Sequence, residues 1–298
     1  MRLFKGIQHL YRLVLYVWDN PSNRGQRIRR SLMVVLWQVY KRTVGLPLVV
    51  TLDNGHRFIA EPKSGNSTGV IYTRLYEPEY TLFLREVFAG REPLAAIDVG
   101  AHVGLFSLQL AHLFSDIYCF EPAPDTYKLL LQNIAINSPC NMRPFQLAVS
   151  DTPGSVSFEL TGQFSGTNRI ARNRPTAQQV VAVSATTLDA FFLDRGEAPD
   201  IAFLKIDTEG HEVAVLLGAR GTLARSTWPV LLVENCGSDR IAGIAETLSL
   251  DVFALIDGRL STAPDKLRTA YNLILTRRND PALAKWRAPL QEMYSERA

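Results

Sequence analysis

The chain has 298 residues, 47% of them hydrophobic, 20% charged and 9% aromatic. That balance excludes collagen-like, low-complexity and wholly disordered chains and suits one large α/β domain with an appendage. The net charge of +3 is unevenly spread: residues 1–50 hold nine Lys/Arg (Arg2, Lys5, Arg12, Arg24, Arg27, Arg29, Arg30, Lys41, Arg42) against the single acid Asp19. Taken from chain totals of 32 and 29, this leaves 23 basic and 28 acidic residues in 51–298, so the body is mildly acidic and the front basic. Three cysteines (Cys119, Cys140, Cys236) show neither zinc nor disulfide spacing and read as small buried hydrophobes in a reducing compartment. No apolar run reaches the ~18 residues of a membrane span. Met1-Arg2-Leu3-Phe4 opens no signal peptide, so the expected location is cytoplasmic, with membrane association through the basic front as an added option.

Residues 1–46 are expected to form a basic helical extension. Ile7, Leu10, Leu13, Val14 and Val17 recur at helical spacing, Asn20-Pro21-Ser22-Asn23-Arg24-Gly25 breaks the pattern, and a second helix runs from about Gln26 to Arg42. Such a pair could cap an acceptor site, join copies of the chain or lie on a membrane surface. The plainer alternative is a solvated basic face over an ordinary core stripe. In 47–92, Asp53-Asn54-Gly55 between two apolar runs signals a hairpin, and a helix is expected over 77–88.

From 93 to 278 strands alternate with helices. Strands are expected over 94–99, 117–121, 143–149, 201–207, 229–235, 251–256 and 271–277, and helices over 103–113, 124–136, 187–193, 210–224 and 239–248. Shorter strands, 155–160 and 178–184, surround a polar loop, 161–175. The alternation predicts a mostly parallel, doubly wound α/β sheet of Rossmann-like type. Residues 279–298 are expected to be a C-terminal tail, a surface helix or a frayed end.

The first strand of this region runs into Asp98-Val99-Gly100-Ala101-His102-Val103-Gly104, an apolar strand opening through two glycines into a helix. Backbone N–H groups in such a turn can approach a ligand closely. The glycines are four apart, so this is not the GxGxxG of nicotinamide dinucleotide sites; its DxGxxxG is similar to the adenosylmethionine site of Rossmann-like methyltransferases. The second strand ends in Glu121-Pro122, 17 positions beyond Gly104, which places a carboxylate at the crevice where it can accept hydrogen bonds from ribose hydroxyls.

Taken together, IDVGAHVGLFSLQLA, FEPAPDTYKLLLQNIAIN, LAVSD, TTLDAF, FLKIDTEGHEVAVLLGA and LLVEN resemble, in order, the FkbM family of S-adenosylmethionine-dependent methyltransferases over roughly residues 70–235. KIDTEGHE is the most specific of these segments, and His102 stands where the family more commonly has Asn. The resemblance implies a seven-stranded, Rossmann-like class I methyltransferase fold, usually acting on hydroxyls of small molecules such as sugars. It places Asp98, Gly100, Ala101, His102 and Gly104 at the methionine part of the cofactor and Glu121 with Pro122 at the ribose. Val149, Ser150 and Asp151 would then meet the adenine, and Tyr72 and Glu77 the cofactor entrance.

Ligands of open α/β sheets sit at the carboxyl ends of strands, which makes Asp207-Thr208-Glu209-Gly210-His211-Glu212 the expected reaction zone. In-line methyl transfer needs chiefly alignment, and an alcohol acceptor gains from a base. Asp207 or Glu209 is expected to orient the acceptor and His211 or Glu209 to take its proton. Glu234 and Asn235 are expected to bound the acceptor pocket. Arg169, with Arg172 and Arg174, lies on the polar loop and could meet a phosphate or carboxylate. No metal is expected, although Asp207, Glu209 and Glu234 would suit Mg²⁺ were they to converge. The partner is expected to be a small molecule, a saccharide among the options, and not a nucleic acid. The alternatives are a nucleic-acid methyltransferase, favoured by the basic front, and a non-catalytic adenosine-binding or membrane-peripheral scaffold.

Overall fold

The computed structural model describes residues 2–20, 23, 25–138, 140–162, 166–171, 179–280 and 283–287. In chain order, α1 (Arg2–Asp19) and α2 (Arg27–Thr43) are followed by the hairpin β1 (Leu48–Thr51) and β2 (Arg57–Ala60), then α3 (Gly65–Thr73) and α4 (Pro78–Phe88). The body continues with β3 (Ala95–Val99), α5 (Leu105–Leu110), β4 (Ile117–Phe120), α6 (Pro124–Ala135), β5 (Met142–Phe145), β6 (Ala148–Val149), β7 (Gly154–Leu160), β8 (Arg169–Ile170) and β9 (Gln179–Thr186). Then come α7 (Leu188–Asp194), β10 (Ile201–Ile206), α8 (Glu212–Leu217), α9 (Arg220–Arg225), β11 (Val230–Glu234), α10 (Ser238–Thr247), β12 (Leu250–Ile256), β13 (Arg259–Ser261), α11 (Pro264–Thr269), β14 (Asn272–Arg277) and α12 (Ala284–Arg287).

The central sheet has the order β13-β12-β14-β11-β10-β3-β4-β5. β5, β4, β3, β10 and β11 run parallel, while β14 enters antiparallel between β11 and β12. These are the seven strands expected, and β13 adds an eighth by folding back on β12. The strands are apolar on both faces because both are covered. Alternate residues serve two cores: Ala96, Phe203 and Leu232 face α2–α6, whereas Ile97, Leu204 and Val233 face α7–α10.

Several expected elements divide. The strand foreseen over 143–149 ends at Phe145; Ala148 and Val149 turn away to pair with β9 in a separate four-stranded sheet ordered β6-β9-β7-β8. The helix foreseen over 210–224 breaks into α8 and α9, and the one foreseen over 103–113 finishes as a 3-10 turn at Ala111–Leu113. The described part of the C-terminal tail is not a frayed surface end: Leu283 is fully buried and the Trp286 ring meets Phe83 edge-on at 4.9 Å. Of the cysteines only Cys119 is fully buried; Cys236 is exposed.

Candidate active site

β3 and β10 lie side by side and parallel, pairing Asp98 with Lys205 and Val99 with Ile206. Both chains therefore leave the sheet at the same rim. Gly100 has φ +81, and a Cβ there would stand 1.8 Å from the Asp207 carbonyl oxygen, so only glycine allows the two strand ends to touch. Gly104, also at φ +81, opens α5, and a Cβ there would stand 2.5 Å from Leu130 Cδ1, so that side chain would have to move. The Gly100 and Ala101 N–H groups both donate to the Phe120 carbonyl at 3.0 Å, which bends the loop around the end of β4.

Glu121 closes that bend. Its Oε2 accepts from the His102 N–H at 3.0 Å and its Oε1 from the Ala123 N–H at 2.8 Å. Burial pushes this carboxyl up to about 7, against the pull of those two donors. His102 takes left-handed backbone, φ +52, to present its N–H. Asp98 is buried beneath the loop; Oδ2 accepts from the Ser107 hydroxyl at 2.6 Å, while buried Oδ1 has no hydrogen-bond partner among the described residues.

Above the rim lies a cavity of about 340 Å³, within the range of small-ligand sites. Gly100, Ala101, His102, Glu121 and Pro122 form one wall, Leu147, Ala148 and Val149 another, and Asp207 and Glu209 the third. Gly166, Thr167 and Asn168 of the polar loop and Gly65 and Asn66 of α3 complete it. Phe164, Ser165, Arg172 and Arg174 lie outside the described residues.

Among the lining residues without a role assigned from the sequence are Tyr76, Tyr271 and Lys205. Lys205 is the telling one, an ammonium next to the end of a buried strand. Burial alone would lower it, but Asp207, Asp98 and Glu77 around it hold it well above the ordinary lysine range. Its Nζ donates to Asp207 Oδ2 at 2.6 Å. A charged residue interrupting the apolar run IAFLKI was the available signal, since buried charge is kept only where it is paired.

The segment after β10 is held by its own acids. Glu212 Oε1 accepts from the Thr208 N–H at 3.1 Å, the Thr208 hydroxyl at 2.8 Å and the Gly210 N–H at 3.0 Å. Glu209 sits in left-handed backbone, φ +57, with its N–H donated to Glu234 Oε2 at 3.1 Å. Glu234 is pushed up to about 8 by burial and by Asp207, Glu209 and Glu212 nearby. Single carboxylate oxygens of Asp207, Glu209 and Glu234 all lie within 4.8 Å of one another, as do ligand atoms of Glu212, Glu234 and Cys236. The first set has the oxygen chemistry that Mg²⁺ prefers. Two of its carboxylates already receive N–H donors, from Lys205 and from the Glu209 backbone.

Other sequence-predicted residues sit elsewhere. Tyr72 is a core residue whose hydroxyl accepts from Gln38 Nε2 at 2.7 Å, off the cavity wall, whereas Tyr76, just beyond the end of α3, lines the cavity. Glu77 lies behind the wall, raised by burial and accepting from Asn272 Nδ2 at 3.3 Å. His211 turns from the cavity, its Nε2 2.9 Å from the Ser150 hydroxyl, which also donates to Asp151 Oδ1 at 3.1 Å. Asn235 Nδ2 secures the next loop by donating to the Leu267 and Ala270 carbonyls at 2.8 and 2.9 Å. Arg169 pairs at 3.0 Å with Glu159, a buried carboxylate.

The family model described as the Methyltransferase FkbM domain matches residues 98–250, just over half of the chain and the whole of the rim described above. The chain belongs to the FkbM methyltransferase family. Among relatives of this methyltransferase, it is 26% identical over 185 residues to a hexuronic acid methyltransferase of Haloferax volcanii, covering 61% of this chain and 70% of that one. It is 28% identical over 204 residues to Methyltransferase 1 of Beauveria bassiana, covering 61% and 80%. A solved S-adenosylmethionine-dependent methyltransferase from Agrobacterium tumefaciens aligns over 78% of this chain and 70% of its own at 9% identity, with a TM-score of 0.44.

The residues present fit S-adenosylmethionine. A Cβ at Gly100 would strike the Asp207 carbonyl and part the two strand ends, Asp98 keeps below that turn a buried oxygen without a hydrogen-bond partner among the described residues, and Glu121 lines the same wall.

Proposed function

We propose that this S-adenosylmethionine-dependent methyltransferase acts on a hydroxyl of a small polar molecule, of which a saccharide is the leading class. The observation that carries the reading is the acidic rim, with Asp207 and Glu209 on the cavity wall and Glu234 directly behind Glu209. Carboxylates accept hydrogen bonds from hydroxyl groups and repel carboxylate and phosphate acceptors. Of the loop arginines that could meet an anion, the one among the described residues, Arg169, is engaged by Glu159. Similarity to a hexuronic acid methyltransferase supports the saccharide class, while the choice of a hydroxyl over a carboxyl group of such a sugar rests on the acidic rim alone.

S-Adenosylmethionine supplies a methyl group on a cationic sulfur, the hard part of the chemistry. In this reading Gly100, Ala101 and His102 cradle its methionine end, Glu121 accepts from the ribose, and Ala148 and Val149 flank the adenine. Asp207, fixed by Lys205, orients the acceptor hydroxyl, and Glu209 takes its proton as the oxygen–carbon bond forms and the sulfur–carbon bond breaks. The products are a methyl ether and S-adenosylhomocysteine. Glu209 is suited to this role because its left-handed backbone, a conformation costing about 1–3 kcal/mol, is held by Glu234 and aims it at the cavity.

The test is transfer of radiolabelled methyl to glycosides, organic acids and polynucleotides by the purified protein. Label in glycosides that withstands mild alkali is expected. Label released by alkali, as from an ester, or found only in polynucleotide, overturns the reading. Glu209→Gln should lower kcat by about a hundredfold with S-adenosylhomocysteine affinity unchanged.

A further inference from the structure

The first two helices show an inverted pattern. On α2 the side toward α3 is polar as well as apolar: Trp37 Nε1 donates to the Thr68 hydroxyl at 3.1 Å, Gln38 holds Tyr72, and Arg30 is buried. The side toward solvent is apolar. Ile28, Leu32, Val35, Leu36 and Val39 recur at helical spacing and are all exposed, Ile28 to 78% and Leu32 to 58%. On α1, Tyr11, Leu15 and Trp18 form a matching exposed stripe. Val17 and Val34 enter the core from the two helices, so the pair is seated and its outer face is not simply an unfolded end. Scattered surface hydrophobes need no explanation, whereas a contiguous set of this size marks a docking face.

Charge says what docks. Arg29 and Arg42 flank the α2 stripe and Arg12 the α1 stripe by helical position, and all three are exposed. The Arg27 guanidinium lies 5.8 Å over the Trp18 ring at the junction of the helices. Asp19 is the one acid among residues 1–50. Burial and the neighbouring Arg74 and Arg29 lower Arg30, a mark of how crowded the positive charge is. A second copy of this chain would bring the same basic set against itself. An anionic bilayer complements both features, taking aliphatic side chains into its upper acyl region, Trp and Tyr at headgroup level, and Arg against the phosphates.

We propose that the outer face of α1 and α2 is a membrane-surface site that lays the enzyme on an anionic lipid bilayer. The helices lie on the surface: among the described residues no helix is long and apolar enough to cross. α2 rests on α3, whose first turn, Gly65 and Asn66, lines the cavity. Two helices, α2 and α3, therefore lie between the bilayer face and the cavity.

The test is flotation of the full-length protein with vesicles of phosphatidylcholine alone and with vesicles that also contain phosphatidylglycerol, at low and high salt. Flotation with the anionic vesicles only, weakened by salt, is expected, and the triple change Leu32→Ser, Leu36→Ser, Val39→Ser should reduce it by at least about tenfold. These side chains are exposed, so circular dichroism and S-adenosylhomocysteine affinity should stay unchanged. Should the triple variant unfold, Arg27→Glu with Arg29→Glu takes its place with the same expected loss. Failure of the wild type to float with anionic vesicles overturns the proposal, as does flotation that the substitutions leave intact. A dimer that the same substitutions dissociate, without vesicle binding by the wild type, assigns the face to a second copy and also overturns it.

Discussion

Glu121→Gln separates the electrostatic role of this carboxylate from its structural one. Glu121 is 5% exposed, and burial raises it from the ordinary 4.5 to about 7 although two backbone N–H groups favour its charged form. Between those values the folded chain holds a proton that the unfolded chain has released. The contribution to stability is thus fully present below about pH 4.5 and is lost as pH rises through about 7. Over the interval from pH 5 to 8 the wild type loses about 2.5 kcal/mol from this group alone. Glutamine carries no charge at any pH, but it offers one oxygen to two donors, His102 and Ala123, and strands one of them at a cost of about 1–3 kcal/mol. The variant should be less stable than wild type at pH 5, and the deficit should shrink or reverse by about 2.5 kcal/mol at pH 8. Urea unfolding of both proteins at pH 5, 6.5 and 8 measures the difference. A difference that stays constant across that range would refute the argument that Glu121 titrates near neutrality.

Gly100→Ala forces a Cβ to 1.8 Å from the Asp207 carbonyl, so one strand end must move by about an ångström; kcat/KM should fall about a hundredfold, and calorimetry with S-adenosylhomocysteine should show weakened binding. Glu212→Ala removes the acceptor shared by Thr208 and Gly210 and should cost about 2–4 kcal/mol in urea unfolding, together with lost activity as Glu209 is released. His211→Ala should lower kcat by less than about tenfold and leave the pH profile unmoved, because burial lowers its pKa and its Nε2 faces Ser150; a loss beyond a hundredfold restores it as the base.

The central strands were legible because parallel strands covered on both faces read as unbroken apolar runs, and the two glycines of the rim because their spacing marks a tight strand-to-helix turn. α3 escaped notice: Gly65-Asn66-Ser67-Thr68 has no apolar rhythm, and the helix is started by Ser64, whose hydroxyl accepts from the Ser67 N–H. The break between α8 and α9 is a tertiary effect, since Gly218 lies against the Ser150 carbonyl, where a Cβ would be 2.1 Å from the oxygen. Tyr72 and Tyr76 could not be told apart by spacing. Arg74, in left-handed backbone, ends α3 between them, leaving Tyr72 against α2 and carrying Tyr76 to the cavity. Likewise the acids after β10 share one motif but divide their work, Glu212 tying the loop while Asp207 and Glu209 face the cavity, a division set by hydrogen-bond partners that only folding supplies.

Asp207 belongs to two walls at once. Its N–H donates to the Val99 carbonyl at 3.0 Å, its own carbonyl abuts Gly100, and its side chain takes the Lys205 ammonium before reaching the reaction zone. In the roles proposed above, donor and acceptor would press on this common piece of backbone from opposite sides. Were the first to bind to remove freedom that the second would otherwise have to remove, thermodynamic linkage would make the gain mutual, each raising the affinity of the other by the same factor. The contact that lets a glycine touch an aspartate would then couple the two halves of the proposed site.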